Sequence, residues 1–177
     1  MSHVPPLHPS THRKEFSKLT LQQRVRLRQL IDGWISSPND PVGEHLAAGQ
    51  DPMLMIHNMG FISWHLTFLS KFENWLVLNG GQEFVPLPYW DPATPVPPEL
   101  SKGNTNPHRP VPDSLRPGAI ADIPDQQTLN TLMVPYHNDV HDHLGGAMPN
   151  PDTSPSDPIF WPFHGLLTAI YEHWRSH

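Results

Sequence analysis

The sequence contains no cysteine, and this absence excludes several kinds of chemistry at once. A chain without cysteine forms no disulfide, offers no thiolate ligand to a metal and has no thiol nucleophile. The sequence also lacks an apolar run of about 18 residues, the length that a transmembrane helix requires. Its first residues contain no apolar stretch of the signal-peptide type. We therefore expect a soluble, cytoplasmic protein without a membrane partner.

Basic residues are also few. The chain carries 11 Lys and Arg against 17 Asp and Glu, which gives a formal net charge of −6. Proteins that bind nucleic acid usually present a basic surface that displaces counterions from the phosphates, so we exclude a nucleic-acid partner. Two residue types are abundant instead, because the chain has 23 prolines and 13 histidines. The histidine excess indicates metal binding or proton transfer.

The apolar residues predict an all-α fold. With 177 residues, of which 37% are hydrophobic, the chain is long enough for one domain with its own core. Apolar residues recur at helical spacing, and there is almost no strand signal. We predict a four-helix bundle core with long Pro-rich ordered loops and a metal site between facing helices. An extended N-terminal arm, residues 1–18, would precede a single domain, residues 19–177, whose main helices would cover about 20–36, 53–78, 129–144 and 158–175.

Short motifs predict where these helices begin and end. Thr20 and Gln23 have the spacing of a capping box, and Asp157, which precedes a proline, is a suitable N-cap for the last helix. Pro135 predicts that the third helix is divided into two pieces. Residues 86–135 contain twelve prolines, and we expect them to wrap around the helices as an ordered loop.

Three histidines in the second half of the chain have the spacing of a metal site. His137 and His141 are four residues apart, so on a helix they lie on one face, about 6 Å apart along the axis. His164, near the start of another helix, can complete the site. A zinc peptidase needs a glutamate after the first histidine, and this position is Asn138, which cannot take up a proton. Three neutral imidazoles suit copper best, with zinc second.

Two histidines in the first half pose a geometric problem. On an unbroken helix, His57 and His65 would be about 12 Å apart, whereas ligands of one metal must bring their nitrogens within roughly 4 Å of each other. If they share a metal, the helix must break between them, and residues 58–60 are the expected place because they end in glycine. The alternative is that one of them is a hydrogen-bonded core histidine.

Three motifs together resemble the tyrosinase and catechol oxidase family. The second-copper signature of that family is similar to His137-Asn138-x-x-His141 with Gly145-Gly146, followed by Asp157-Pro158-Ile159-Phe160-Trp161 and His164. The first-copper helix resembles Phe61-Ile62-Ser63-Trp64-His65 with Phe72-Glu73, and the element between the two resembles Pro88-Tyr89-Trp90-Asp91. The match covers roughly residues 45 to 174, and its two halves are independent of each other.

The resemblance implies a pair of copper ions held by histidines in a helical bundle. The first copper would be bound by His45, His57 and His65, and the second by His137, His141 and His164. The implied partners are O2 and a small phenolic substrate, which is oxidised to an o-quinone, and a copper-delivery protein is a further possible partner. Because the chain as given ends soon after the last copper helix, we expect a site that solvent can reach.

The sequence is compatible with more than one reaction. The resemblance implies that Asn138, together with a carboxylate, can orient a water that deprotonates a monophenol, but the chain has no glutamate between residues 99 and 172. Asp142 is one candidate for this carboxylate, and Asp91, Asp122 and Asp125 are others. Without such a base the enzyme would be a catechol or o-aminophenol oxidase. A more remote alternative is a dicopper protein that binds O2 without turnover.

Overall fold

A computed structural model describes residues 13–177, which fold around five α-helices and, within these residues, form no β-strand. The all-α prediction is therefore confirmed. No helix of the described part is both long and apolar enough to cross a membrane. Short 3-10 turns and irregular loops connect the helices, which in chain order are α1 (Leu21–Ile35), α2 (Pro41–Gln50), α3 (Phe61–Leu78), α4 (Gln126–Leu144) and α5 (Phe160–Arg175).

Helix α3 lies at the centre of the fold and contacts α1, α4 and α5. Its apolar residues recur every three or four positions, so that they form one continuous face. Phe61, Phe68 and Phe72 on this face are at most 2% exposed. Trp161 of α5 packs against Phe68 and Phe72, with ring centroids 5.3 and 4.9 Å away. This aromatic contact fixes the relative position of two helices that carry histidines.

Residues 86–125 wrap around the helices as an ordered loop, as predicted. The Trp90 N–H donates to the Pro162 carbonyl oxygen at 3.0 Å, which ties the loop to the first turn of α5. The loop passes so close to α5 that a Cβ atom on Gly165 would lie 3.0 Å from the Pro88 carbonyl oxygen. The rest of the predicted Pro-rich segment, residues 126–135, belongs to α4.

The described end of the N-terminal arm packs against the helices. Arg13 is only 7% exposed, and its guanidinium donates hydrogen bonds to the carboxylates of Glu73 and Glu172. Phe16 is 1% exposed and belongs to the core. The remainder of the arm, residues 1–12, lies outside the described residues, and the division into arm and domain stays a prediction.

Two predicted features of the first half are confirmed and one is wrong. The capping box exists: Thr20 Oγ1 accepts the Gln23 N–H at 3.2 Å, and Gln23 Oε1 accepts the Thr20 N–H at 3.0 Å. The helix also breaks between His57 and His65, since residues 51–60 form turns and α3 begins only at residue 61. The prediction of four main helices missed α2, which begins where Asp40 Oδ1 accepts the Gly43 N–H at 3.0 Å.

The predicted division of the third helix at Pro135 is wrong, because α4 continues through this residue. Proline removes the hydrogen bond to the carbonyl four residues earlier, which here belongs to Thr131. Both residues are exposed, so water can satisfy that carbonyl from the solvent side.

Asp157 is not the N-cap of the last helix. Helix α5 begins at Phe160, two residues later than predicted, and its N-cap Ile159 provides no side-chain cap. The Asp157 Oδ1 accepts the Ile159 N–H at 3.4 Å, but its Oδ2 accepts shorter hydrogen bonds from Asn104 Nδ2 at 2.8 Å and the Ala147 N–H at 3.1 Å. It therefore joins three separate loops.

Candidate metal centre

Three histidines from the first half of the chain meet between α2 and α3. His45 lies on α2, His57 in the turns that precede α3, and His65 on α3 itself. The ring centroids are 5.1 Å apart for His45 and His57, 5.7 Å for His45 and His65, and 6.1 Å for His57 and His65. One nitrogen of each ring lies within 4.8 Å of one nitrogen of the other two, so the three rings could hold one metal ion.

The three histidines from the second half lie opposite. His137 and His141 on α4 have ring centroids 4.2 Å apart, and His164 on α5 is 5.2 Å from His137 and 5.5 Å from His141. The nitrogen distances, however, select His65, His137 and His164 as the second group within 4.8 Å. His141 lies beside this group rather than in it.

His65 connects the two halves of the cluster. Its ring stacks on that of His164, with centroids 5.0 Å apart and an angle of 19° between the planes. His57 and His137 also face each other, with centroids 6.4 Å apart. The structure thus brings all six of the predicted histidines into a single cluster.

Backbone carbonyls fix the orientation of three of these rings. His65 Nδ1 lies 2.9 Å from the Phe61 carbonyl oxygen, and His164 Nδ1 lies 2.8 Å from the Phe160 carbonyl oxygen, one helical turn earlier in each case. His141 Nδ1 lies 2.8 Å from the carbonyl oxygen of Met148. Because a carbonyl can only accept, the proton is on Nδ1 and the lone pair is on Nε2, which is the arrangement of a metal ligand.

Burial keeps the cluster uncharged. The pKa of His45 is lowered to about 3, chiefly by burial and then by the neighbouring His57 and His141. Burial likewise lowers the pKa of His141 to about 4 and holds the pKa of His65, His137 and His164 well below the ordinary value. An imidazole must be neutral to bind a metal, so the cluster is ready for ligation at neutral pH.

The buried nitrogens also test whether a metal fits. Among residues 13–177, Nδ1 of His45 and Nε2 of His65, His141 and His164 are buried without a hydrogen-bond partner. An unpaired buried polar atom costs roughly 1–3 kcal/mol, and four in one cluster call for an explanation. Metal ions would supply the missing partners, and a site of uncharged imidazole nitrogens suits copper. The residues therefore fit copper, the metal that the resemblance implies.

A cavity of about 290 Å³ leads to the histidines from the surface. His57, His137 and His141 form its floor on the side of the cluster, and Asn138 and Asp142 also line it. Within the described part of the chain, the lining includes no lysine or arginine. A phenol-sized molecule in this cavity would meet three imidazoles, one amide and one carboxylate.

Asn138 orients one histidine of the cluster through a hydrogen bond. Its Oδ1 accepts a hydrogen bond from His137 Nδ1 at 2.9 Å, which places the lone pair of His137 on Nε2. Asp142 lies one helical turn further along α4 and is exposed at the cavity wall. Both residues thus line the cavity beside the histidines.

The other carboxylates that the sequence suggested are elsewhere. Asp125 caps α4, where its Oδ1 accepts the Thr128 N–H at 2.7 Å. Asp91 accepts the Ala93 N–H at 2.9 Å, and Asp122 lines a separate cavity that includes Trp174. None of the three lines the cavity at the histidines.

The sequence analysis missed the segment that covers the cluster. Met148, Pro149, Pro151 and Ser154 form the opposite wall of the cavity, and the Met148 carbonyl orients His141. Asp152 in the same segment raises the pKa of His57 against the larger, lowering effect of burial. The two closely spaced prolines after Gly145-Gly146 were the available signal for a loop of fixed shape.

Comparisons with known proteins agree with this arrangement. The family pattern described as the common central domain of tyrosinase matches residues 20–127 and 119–177. A tyrosinase of Hahella sp. (strain CCB-MM4) is 47% identical over 40 residues, which are 23% of this chain and 9% of that protein. Tyrosinase-like proteins of Margaritifera margaritifera and Pinctada maxima are 39% and 41% identical over 50 residues, which are 28% of this chain and 11% of each of them. The aligned segments thus span about a tenth of the length of these relatives.

Proposed function

Since this chain belongs to the family defined by the common central domain of tyrosinase, we propose that it is a copper-dependent oxidase that uses O2 to convert phenols and o-diphenols to o-quinones. The observation that carries the proposal is the cluster of six histidines, in which buried ring nitrogens without a partner face one another beside an open cavity. The runner-up is a catechol or o-aminophenol oxidase that does not hydroxylate monophenols.

Two copper ions would be held by three histidines each. His45, His57 and His65 would bind the first, and this choice is supported by their nitrogens lying within 4.8 Å of one another. His137, His141 and His164 would bind the second. His141 belongs in this set because its Nδ1 is already used by Met148, so its buried Nε2 has no other function, and because His65 is required by the first ion.

Copper in this site would transfer electrons between the diphenol and O2. Each diphenol loses two electrons and two protons when it becomes a quinone, so two diphenols reduce one O2 to two waters. The chain's own residues position the reactants: the Met148 to Ser154 segment and α4 form the walls that hold the phenol ring against His57, His137 and His141.

Asn138 and Asp142 would help to remove the proton of the substrate hydroxyl. Asn138 holds His137 in its ligand tautomer, and the side-chain NH2, which this bond does not use, can orient a water in the cavity. Asp142 is the lining carboxylate that can accept a proton from that water or from the phenol. Hydroxylation of a monophenol depends on this base, because a phenol has a pKa near 10 and is scarcely ionised at neutral pH.

The assay that tests the proposal follows quinone absorbance when copper-loaded protein is mixed with 4-methylcatechol. We expect quinone from wild type and none from His141→Ala, whereas His108→Ala, which removes an exposed histidine that does not belong to the cluster, should retain the wild-type rate. Tyramine in the same assay decides on hydroxylation: product indicates a tyrosinase, and its absence indicates a diphenol oxidase. Copper binding without quinone from either substrate would contradict the proposal.

A further inference from the structure

The turns between α2 and α3 expose an unusual group of apolar side chains. Within the described part of the chain, eight large hydrophobic residues are exposed, and four of them lie in positions 53–59. Met53 is 87% exposed, Met55 42% and Met59 52%, and Leu54 lies between the first two at 41%. We call residues 51–60 the methionine loop. Exposed apolar surface of this density usually has a function.

The loop has a defined backbone, so the exposure is not a result of loose structure. Met55 has a φ of 47°, in the left-handed region that a side chain such as methionine rarely adopts. Its carbonyl accepts the N–H of Asn58 at 2.8 Å and of Gly60 at 3.1 Å. A Cβ atom on Gly60 would overlap the Leu54 carbonyl oxygen. The loop therefore holds its methionines outward in a fixed, locally strained shape.

The same loop carries His57, which differs from the other five histidines of the cluster. The other five are at most 8% exposed, whereas His57 is half-buried and lines the cavity. Met55 and Met59 stand two residues before and two residues after it. The most exposed histidine of the cluster is therefore flanked in the sequence by two methionines.

The sulfur atoms of these methionines are potential ligands for copper. Thioethers are soft ligands that bind Cu(I) and have little affinity for hard or borderline cations in water. Because the chain has no cysteine, methionine is its only source of sulfur. Met59 Sδ already accepts a hydrogen bond from Gln127 Nε2 at 2.9 Å, which orients this sulfur at the start of α4 and leaves a second lone pair.

We propose that Met53, Met55 and Met59 form a capture site that binds Cu(I) from solution and passes it to His57. The site is distinct from the six histidines and has no part in oxidation, and the inference rests on the proposed function only for the destination of the metal. Cu(II), which imidazoles bind directly, would not need the methionines.

The test replaces all three methionines by leucine, which keeps volume and apolar surface but removes sulfur. Protein labelled with 13C at the methionine methyl groups is titrated anaerobically with Cu(I). In wild type we expect the signals of these three methionines to shift with the first portions of metal, and those of the buried Met133 to stay in place. The rate of loading from Cu(I) should fall about tenfold in the variant, while the rate of loading from Cu(II) and the final copper content should not change.

Leu54→Ala is the matched control, because it removes exposed apolar surface from the same loop without removing sulfur. If this variant slows Cu(I) loading as much as the triple variant does, the loop acts as an apolar contact surface and the capture site is wrong. Equal Cu(I) loading rates in wild type and the triple variant would also overturn it. Should the triple variant not fold, Met53→Leu alone serves, because that side chain is the most exposed of the three.

The outcomes also separate this inference from the proposed function. Shifts of the methionine signals without any change at the histidine rings would support capture but contradict the dicopper centre. Changes at the histidine rings without methionine shifts would contradict capture alone.

Discussion

The side chain of Asn130 on α4 caps the helix that carries His65: its Oδ1 accepts the Ile62 N–H at 3.2 Å. Helix α3 begins after Gly60, which has no side chain for this purpose, so one of its first free N–H groups is satisfied from another helix. The amide NH2 of Asn130 also donates to the Asn58 carbonyl oxygen. A single buried amide thus joins α4 to both sides of the helix break on which the first histidine group depends.

Replacing Asn130 by leucine should therefore lower the free energy of unfolding by roughly 1–3 kcal/mol, because the buried Ile62 N–H and the partly buried Asn58 carbonyl lose their partner. The value is measured by urea denaturation of the metal-free protein. Thr131→Ala, one residue further and exposed, is the control and should change stability by less than about 0.5 kcal/mol. An unchanged midpoint for the Asn130 variant would show that the cap has no importance.

Gly146 is the second position where a small change should have a large effect. It has a φ of 60°, and a Cβ atom there would lie 2.6 Å from both Asn104 Nδ2 and Asp157 Oδ2. Gly103 also has a positive φ, of 79°, but nothing lies within 4 Å of its Cβ position. Gly103→Ala should cost about 1 kcal/mol for its conformation, and Gly146→Ala about 1–3 kcal/mol more for the added overlap. Equal thermal shifts in the two variants would contradict this explanation.

The sequence could predict the parts of the site that follow from local spacing or from metal geometry. The requirement that His57 and His65 share one ion was enough to place a helix break between them, and α3 indeed starts at Phe61. The capping box at Thr20 is local in the same sense, since all of its atoms belong to four consecutive residues.

The features that the sequence could not predict depend on residues distant in the chain. Asp157 resembles an N-cap locally, but Asn104, far away in the sequence, and the Ala147 N–H provide better partners for its carboxylate. Pro135 predicts a break unless one knows that it faces solvent. The wall formed by the Met148 to Ser154 segment likewise becomes visible only when this segment is folded over His141.

The metal-free protein should lose stability as the pH falls below about 6.5. Burial lowers the pKa of His45 to about 3 and of His141 to about 4, so the unfolded chain takes up protons at a higher pH than the folded one. The stabilising contribution is complete above pH 6.5 and declines from there to about pH 4 for His141 and about pH 3 for His45, by roughly 1.4 kcal/mol per pH unit for each proton. Urea midpoints measured at several pH values check this, and His141→Phe should flatten the dependence.

Asp142 should favour substrates that carry a positive charge. It is a carboxylate on the cavity wall, and the described lining has no lysine or arginine to neutralise it. Dopamine should therefore have a higher kcat/KM than 3,4-dihydroxyphenylpropionate, and Asp142→Asn should reduce the ratio about three- to fivefold, as expected for an exposed charge pair. A role as base alone would lower both rates equally and leave the ratio unchanged, so the ratio separates the two effects.

The most direct test of the dicopper centre is the copper content per chain after loading and removal of excess metal. It is measured by elemental mass spectrometry. We predict two copper ions for wild type, one for His45→Ala, one for His141→Ala, and none or nearly none for the double variant. A wild-type value of one, or two ions retained in either single variant, would contradict the account.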